Sequence, residues 1–194
     1  KEIIDEGSLG NLLWMRGVYG KAGSVDYNKS WRNYRKLSGG GILIDQGIHM
    51  LDLFQYLSGS DFEILSSVIR TSFWDIECED NAFLTLASPS GEIATLHSSA
   101  TQWRHKFLLE MAFEEGYINL DGILTPTRSY SPETLLLGRR TQENIDLAMG
   151  KPTEQKMIFD SDKSWDLELK EFLCAIQGKG EIQHGKSLDA LKIM

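Results

Sequence analysis

Apolar positions along the chain follow two rhythms. Phe107, Leu109, Met111 and Phe113 alternate with Lys106, Glu110 and Ala112, the period-two pattern of a half-buried strand. Strand-like runs recur at 11–18, 62–70, 81–87, 92–99, 106–113 and 117–121, with weaker ones at 133–138 and 155–159. Pro89-Ser90-Gly91 and Glu114-Glu115-Gly116 are short turn signals, so consecutive strands are expected to pair antiparallel. From Ile42 to Leu57 the apolar residues fall at helical spacing, and Gly59 supplies a stop. Trp165, Leu169, Phe172, Leu173 and Ile176 share a second helical face ending at Gly178. Shorter helical patterns stand before Gly7 and after Ser187, while residues 139–154 lack periodicity and read as a surface excursion. The sum is an α+β fold: one large open, mostly antiparallel sheet with helices on one face. Phe83, Leu84 and Leu86 make a strand apolar on both sides, so the uncovered face is expected to meet a second copy, giving a homo-dimer or higher assembly.

Composition narrows the partners. The 194 residues are 41% hydrophobic and 25% charged, which fits a single globular domain over 1–194. A net charge of -8 argues against nucleic acid and against an anionic membrane surface as partners. No apolar run approaches the ~18 residues of a membrane span. Two cysteines, Cys78 and Cys174, make no disulfide framework and point to a reducing cytoplasm. The first pattern opens inside a helix at Lys1 and the last stops at Met194 without a terminating signal. Both ends read as cuts in a longer protein.

Candidate chemistry concentrates after residue 30. Arg32, Arg35 and Lys36 form the cation-leaning stretch, whereas Arg70 is the sole cation between residues 51 and 100. The cations precede Gly39-Gly40-Gly41, which permit close backbone approach and lead into a helix whose first amides are expected to be free for an anion. Asp45, His49 and Asp52 share one face of that helix, and a carboxylate beside an imidazole is the pairing a general base needs. Gly47, costly inside a helix, implies a close neighbour. The alternatives are a plain surface ion pair or two ligands of a metal; no cysteine pair or further spaced histidine supports a metal. Gln102, Trp103, Arg104 and His105 combine an aromatic with hydrogen-bonding groups, which suits a sugar ring, although Trp103 equally suits an interface or core. His97 reads as structural and His184 as solvated.

Gly39-Gly-Gly-x-x-x-Asp45-x-x-x-His49-x-x-Asp52 resembles the signature of the glucose-fructose oxidoreductase, inositol dehydrogenase and rhizopine-catabolism (Gfo/Idh/MocA) oxidoreductases. Gly7-Ser-Leu-Gly10, Trp31-Arg32, Glu79-Asp80-Asn-Ala and Gly185-Lys-Ser-Leu-Asp-Ala extend the resemblance over nearly the whole chain. It implies the C-terminal substrate and oligomerisation domain of an enzyme whose Rossmann domain binds NAD or NADP. The substrate class it implies is a sugar, cyclitol or nucleotide-sugar oxidised or reduced at a hydroxyl carbon. Asp45 and His49 match the family's catalytic pair. Arg32, Lys36 and Trp103 are expected to touch substrate, and Gly39, Gly40 and Gly41 to let the cofactor approach. The sequence departs from the family in lacking Gly-x-Gly-x-x-Gly after a strand and the Glu-Lys-Pro that carries a catalytic lysine. The chain alone is therefore expected to be inactive. A non-catalytic binding or assembly module and an NAD-dependent glycosidase of the same family are the competing readings.

Overall fold

A computed structural model describes residues 1–140, 153–182 and 185–193. Eight strands among them form one sheet: β1 (Leu12–Gly20), β2 (Glu63–Arg70), β3 (Asn81–Ala87), β4 (Ile93–Ser99), β5 (Lys106–Phe113), β6 (Gly116–Asp121), β7 (Glu133–Arg139) and β8 (Glu154–Phe159). Their spatial order is β2-β3-β4-β1-β5-β6-β7-β8. The fold is α+β, and the alternation in each central strand is what the sheet buries. Phe107, Leu109, Met111 and Phe113 of β5 join Leu84, Leu86 and Leu96 in the core.

One expectation about pairing is corrected. β4 and β5 are consecutive but do not pair; β1 lies between them, parallel to β4 and antiparallel to β5. The remaining described pairings are antiparallel. The link between β4 and β5 has no tight turn and instead holds the end of β1. Lys21 N–H donates to the Ser99 carbonyl at 2.8 Å, and Gln102 N–H donates to the Lys21 carbonyl at 3.2 Å.

Five α-helices accompany the sheet among the described residues: α1 (Glu2–Asp5), α2 (Arg35–Ser38), α3 (Ile48–Ser58), α4 (Ser164–Ile176) and α5 (Ser187–Ile193). Met50, Phe54 and Leu57 of α3 lie in the same core as Met15, Leu84 and Leu109, so α3 covers one sheet face. Each such side chain contributes ~1.5–3 kcal/mol on burial. α5 packs beside α3, with Lys192 reaching Asp61 at 3.0 Å. The helix expected from Ile42 starts as a wide π-type turn, Leu43–Gly47, and becomes α-helical only at Ile48. The Ser98 hydroxyl donates to the Ile42 carbonyl at 3.0 Å, and a Cβ on Gly47 would stand 3.1 Å from the Ser98 Cβ. That contact is the close neighbour Gly47 implied, and widening the turn accommodates it.

The other sheet face carries no helix among the described residues. Phe83 is 48% exposed there and stacks on His97 with centroids 4.0 Å apart, while Arg16 pairs with Glu110 at 2.6 Å. Leu84 and Leu86 point to the covered face, so β3 is apolar on both sides. The apolar row of α4, Trp165 to Ile176, is exposed and covered by no described element. The excursion read at 139–154 falls mostly outside the described residues, as does His184; Arg139 and Glu154 belong to β7 and β8. No described helix is long and apolar enough to cross a membrane.

Candidate active site

The three glycines make the turn that starts the site, and the amides of Gly41, Ile42 and Leu43 are already engaged. Glu79, just before β3, accepts hydrogen bonds through one carboxylate oxygen from Gly41 N–H at 2.9 Å and Leu43 N–H at 3.2 Å. The Glu79 carbonyl accepts from Ile42 N–H at 3.0 Å. A Cβ on Gly41 would stand 2.2 Å from that carbonyl oxygen, which is why no side chain is tolerated. The expectation of free amides is thus corrected: the anion at this helix start is the chain's own Glu79. Gly40 and Gly41 are buried, and Gly39 is exposed with φ at +81°.

Asp45 stands in the wide turn with both oxygens taken. Lys21 Nζ donates to Oδ2 in a close ion pair, and Arg32 Nε donates to Oδ1 at 3.1 Å. Lys21 also lies 5.3 Å from the centre of the Tyr27 ring. Asp45 was expected to orient His49; its carboxylate holds two cations instead. His49 is exposed at the first turn of α3. Its electrostatic partner is Asp52, whose carboxyl is raised by loss of solvent and by Asp189, with His49 opposing the rise.

Rings line the space beside this pair. His49 faces Tyr19 at 6.2 Å, Tyr19 faces Tyr130 at 5.7 Å, and Tyr130 faces His105 at 4.8 Å between centroids. The Tyr130 hydroxyl donates to Gln46 Oε1 at 3.2 Å, and Ala22 N–H donates to His105 Nδ1 at 3.2 Å. Burial, and then the Asp45 charge, push the Tyr19 phenol up. Tyr130 is pushed up by burial, Tyr19 and Asp45, so both phenols are neutral donors at ordinary pH. Burial and the Lys21 ammonium push His105 down.

Of the residues singled out in the sequence, Asp45, His49 and Arg32 come together. Lys36 lies on exposed α2 with no ion pair among the described residues. Trp103 is 98% exposed between β4 and β5. The sequence reading missed Lys21, Tyr19, Gln46 and Tyr130. The signal for Lys21 was its position at the C-terminal end of a strand, directly before a glycine-rich loop. Among the described residues no three His, Cys, Asp or Glu side chains are grouped to hold a metal ion. Two open hollows of about 580 and 630 Å³ lie elsewhere, beside Ile4 and Phe113 and between α3 and α5.

The loop that backs the site is built by Asp80. Its buried carboxylate accepts from the amides of Ser72, Phe73 and Trp74 at 2.8, 2.8 and 3.0 Å. Burial alone would raise this carboxyl; the three amides and Asn81 outweigh it and hold it below the usual carboxylate range.

A family model described as the GFO/IDH/MocA C-terminal domain matches residues 1–119. The chain belongs to the Gfo/Idh/MocA family. Levoglucosan dehydrogenase of Pseudarthrobacter phenanthrenivorans is 37% identical over 73 residues, covering 37% of this chain and 18% of that protein. Two solved Gfo/Idh/MocA-like structures share the fold. The aldose-aldose oxidoreductase of Caulobacter crescentus, complexed with glycerol, superposes with a TM-score of 0.75 at 24% identity, over 99% of this chain and 53% of that one. A levoglucosan dehydrogenase in complex with NADH and levoglucosan gives 0.78 at 18% identity, over 100% and 56%. The chain thus spans about half the length of these solved relatives.

Proposed function

We propose that this chain is the substrate-binding and assembly half of a cytoplasmic NAD(P)-dependent oxidoreductase acting on a hydroxyl of a sugar, cyclitol or nucleotide-sugar. The observation that carries the reading is the exposed His49 imidazole at the start of α3, facing Tyr19 and four residues on from Asp45 with its Lys21 and Arg32 partners. A neutral imidazole takes the proton from a substrate hydroxyl as that carbon is oxidised, and returns it in the reverse direction. Asp52, one turn further along α3, is the carboxylate that interacts with His49. Asp45 holds Lys21 and Arg32 where they can receive the remaining hydroxyls. Levoglucosan and glycerol, bound by the two relatives, are chemically of this polyol class.

The end of the glycine turn does not fit a cofactor phosphate, because the Glu79 carboxylate already occupies the Gly41 and Leu43 amides. NAD or NADP would be held mainly outside this chain, whose own share of the reaction is positioning and proton traffic. The apolar open sheet face around Phe83 supports assembly into a homo-dimer or larger oligomer.

The test is steady-state kinetics on the whole protein against sugars, cyclitols and nucleotide-sugars, following nicotinamide absorbance. His49→Ala should lower turnover per folded molecule by roughly 10²–10⁴-fold. Near-normal turnover in that variant defeats the assignment.

A further inference from the structure

Four rings run in sequence from α3 to the far side of the sheet end: His49, Tyr19, Tyr130 and His105. The reading above gives His105 no role. His105 lies just before β5, eighty-three residues from the amide that meets it, and it is partly buried. We propose that His105 is a second imidazole of this site, held as an Nε2–H hydrogen-bond donor toward substrate by the Ala22 amide, with Lys21 as the positioning residue that ties it to Asp45. The inference rests on the site reading above and adds a substrate-contacting group to it.

Tautomer follows from a single hydrogen bond. A backbone N–H can only donate, so the Nδ1 it meets must present a lone pair; in neutral imidazole the proton then sits on Nε2. Ala22 is fixed in place, since Lys21 N–H and Lys21 carbonyl are both engaged with the β4–β5 link. The same anchoring brings the Lys21 ammonium to Asp45 on one side of the loop and Ala22 N–H to His105 on the other. Charge acts in the same direction. His105 is faced by Lys21 from the end of β1 and by the neutral phenol of Tyr130 from the β6–β7 link, and it is flanked in the chain by Arg104 and Lys106. The carboxylate of this cluster, Asp45, is consumed by Lys21 and Arg32. A cationic His105 would have no carboxylate of its own there, and would also lose the lone pair that Ala22 N–H requires. The ring therefore offers one fixed donor across the neutral range, which suits a hydroxyl or ether oxygen of a polyol.

Long-range ¹H–¹⁵N spectra of the whole protein decide the matter, with Lys21→Met, Lys21→Arg and His105→Gln variants. At pH 7.5 the His105 signals should be those of the Nε2–H tautomer, an observation that needs no variant. Its midpoint should rise in Lys21→Met, where a nearby positive charge is removed, and stay put in Lys21→Arg. A dominant Nδ1–H tautomer, or a midpoint that ignores Lys21→Met, overturns the inference. Levoglucosan is then titrated in as the probe, and the His105 and His49 signals should move together, with the His105→Gln variant binding several-fold more weakly. Movement of His49 without His105 overturns the inference while the site reading stands. If neither moves, the site reading itself is lost.

Discussion

Asp45 carries two ion pairs through one carboxylate, and that makes its replacement a stability question before it is a catalytic one. The Lys21 side chain is 19% exposed and Asp45 23%, so these charges are only partly screened. Asp45→Asn leaves Lys21 without a counter-charge and should destabilise the fold by about 1–2 kcal/mol, between the values of exposed and buried pairs. Urea melts measure this, and an unchanged midpoint would show that the pairs contribute nothing. Asp80 predicts a pH dependence. Its carboxyl sits lower in the fold than in the unfolded chain, so its contribution is complete above the unfolded value, near ~3.9. The contribution fades as pH falls through the folded value, because protonation breaks the amide contacts. Asp80→Ala should therefore cost about 3 kcal/mol at pH 7, and the gap from the parent should narrow as the melts are taken toward pH 3. A gap independent of pH contradicts this account.

Among the elements, the start of α3 decides the geometry of the site. Glu79 ties that start to β3 through three consecutive amides, two on its carboxylate and one on its carbonyl. Glu79→Ala should cost ~1–2 kcal/mol, the usual worth of a helix cap. Gly41→Ala should cost more, ~3 kcal/mol, because its methyl meets backbone that can move only by dislodging β3. Differential melts of the two variants check the ordering, and a harmless Gly41→Ala contradicts the packing described. The alternation of β5 and the helical spacing of α3 were legible in the sequence because each is set by near neighbours. The π-type turn was not legible, since it answers to Ser98 on a strand more than fifty residues away.

For the molecule as a whole, the open sheet face bears on assembly. Phe83, Val68 and Trp14 are each more than 40% exposed there, on a sheet eight strands wide. If this face meets a second copy, the chain should sediment as a dimer or larger species at tens of micromolar. Phe83→Arg should then shift it to monomer while its circular-dichroism spectrum stays native, because Phe83 contributes little to the core. A parent chain that is monomeric throughout that range sinks the assembly reading.

Sequence by itself determined the strands, the two longer helices and the place of Asp45 and His49 near a helix start. These depend on periodicity and on residues within a few positions of each other, where chain geometry leaves little choice. Tertiary structure alone decided that β1 enters the middle of the sheet beside β4, and that single placement creates the site. It brings Lys21 to Asp45 across 24 positions and the Ala22 amide to His105 across 83. It also reassigns the carboxylate that spacing had paired with His49, because a nearby ammonium and guanidinium bind a carboxylate more strongly than an imidazole one helical turn away.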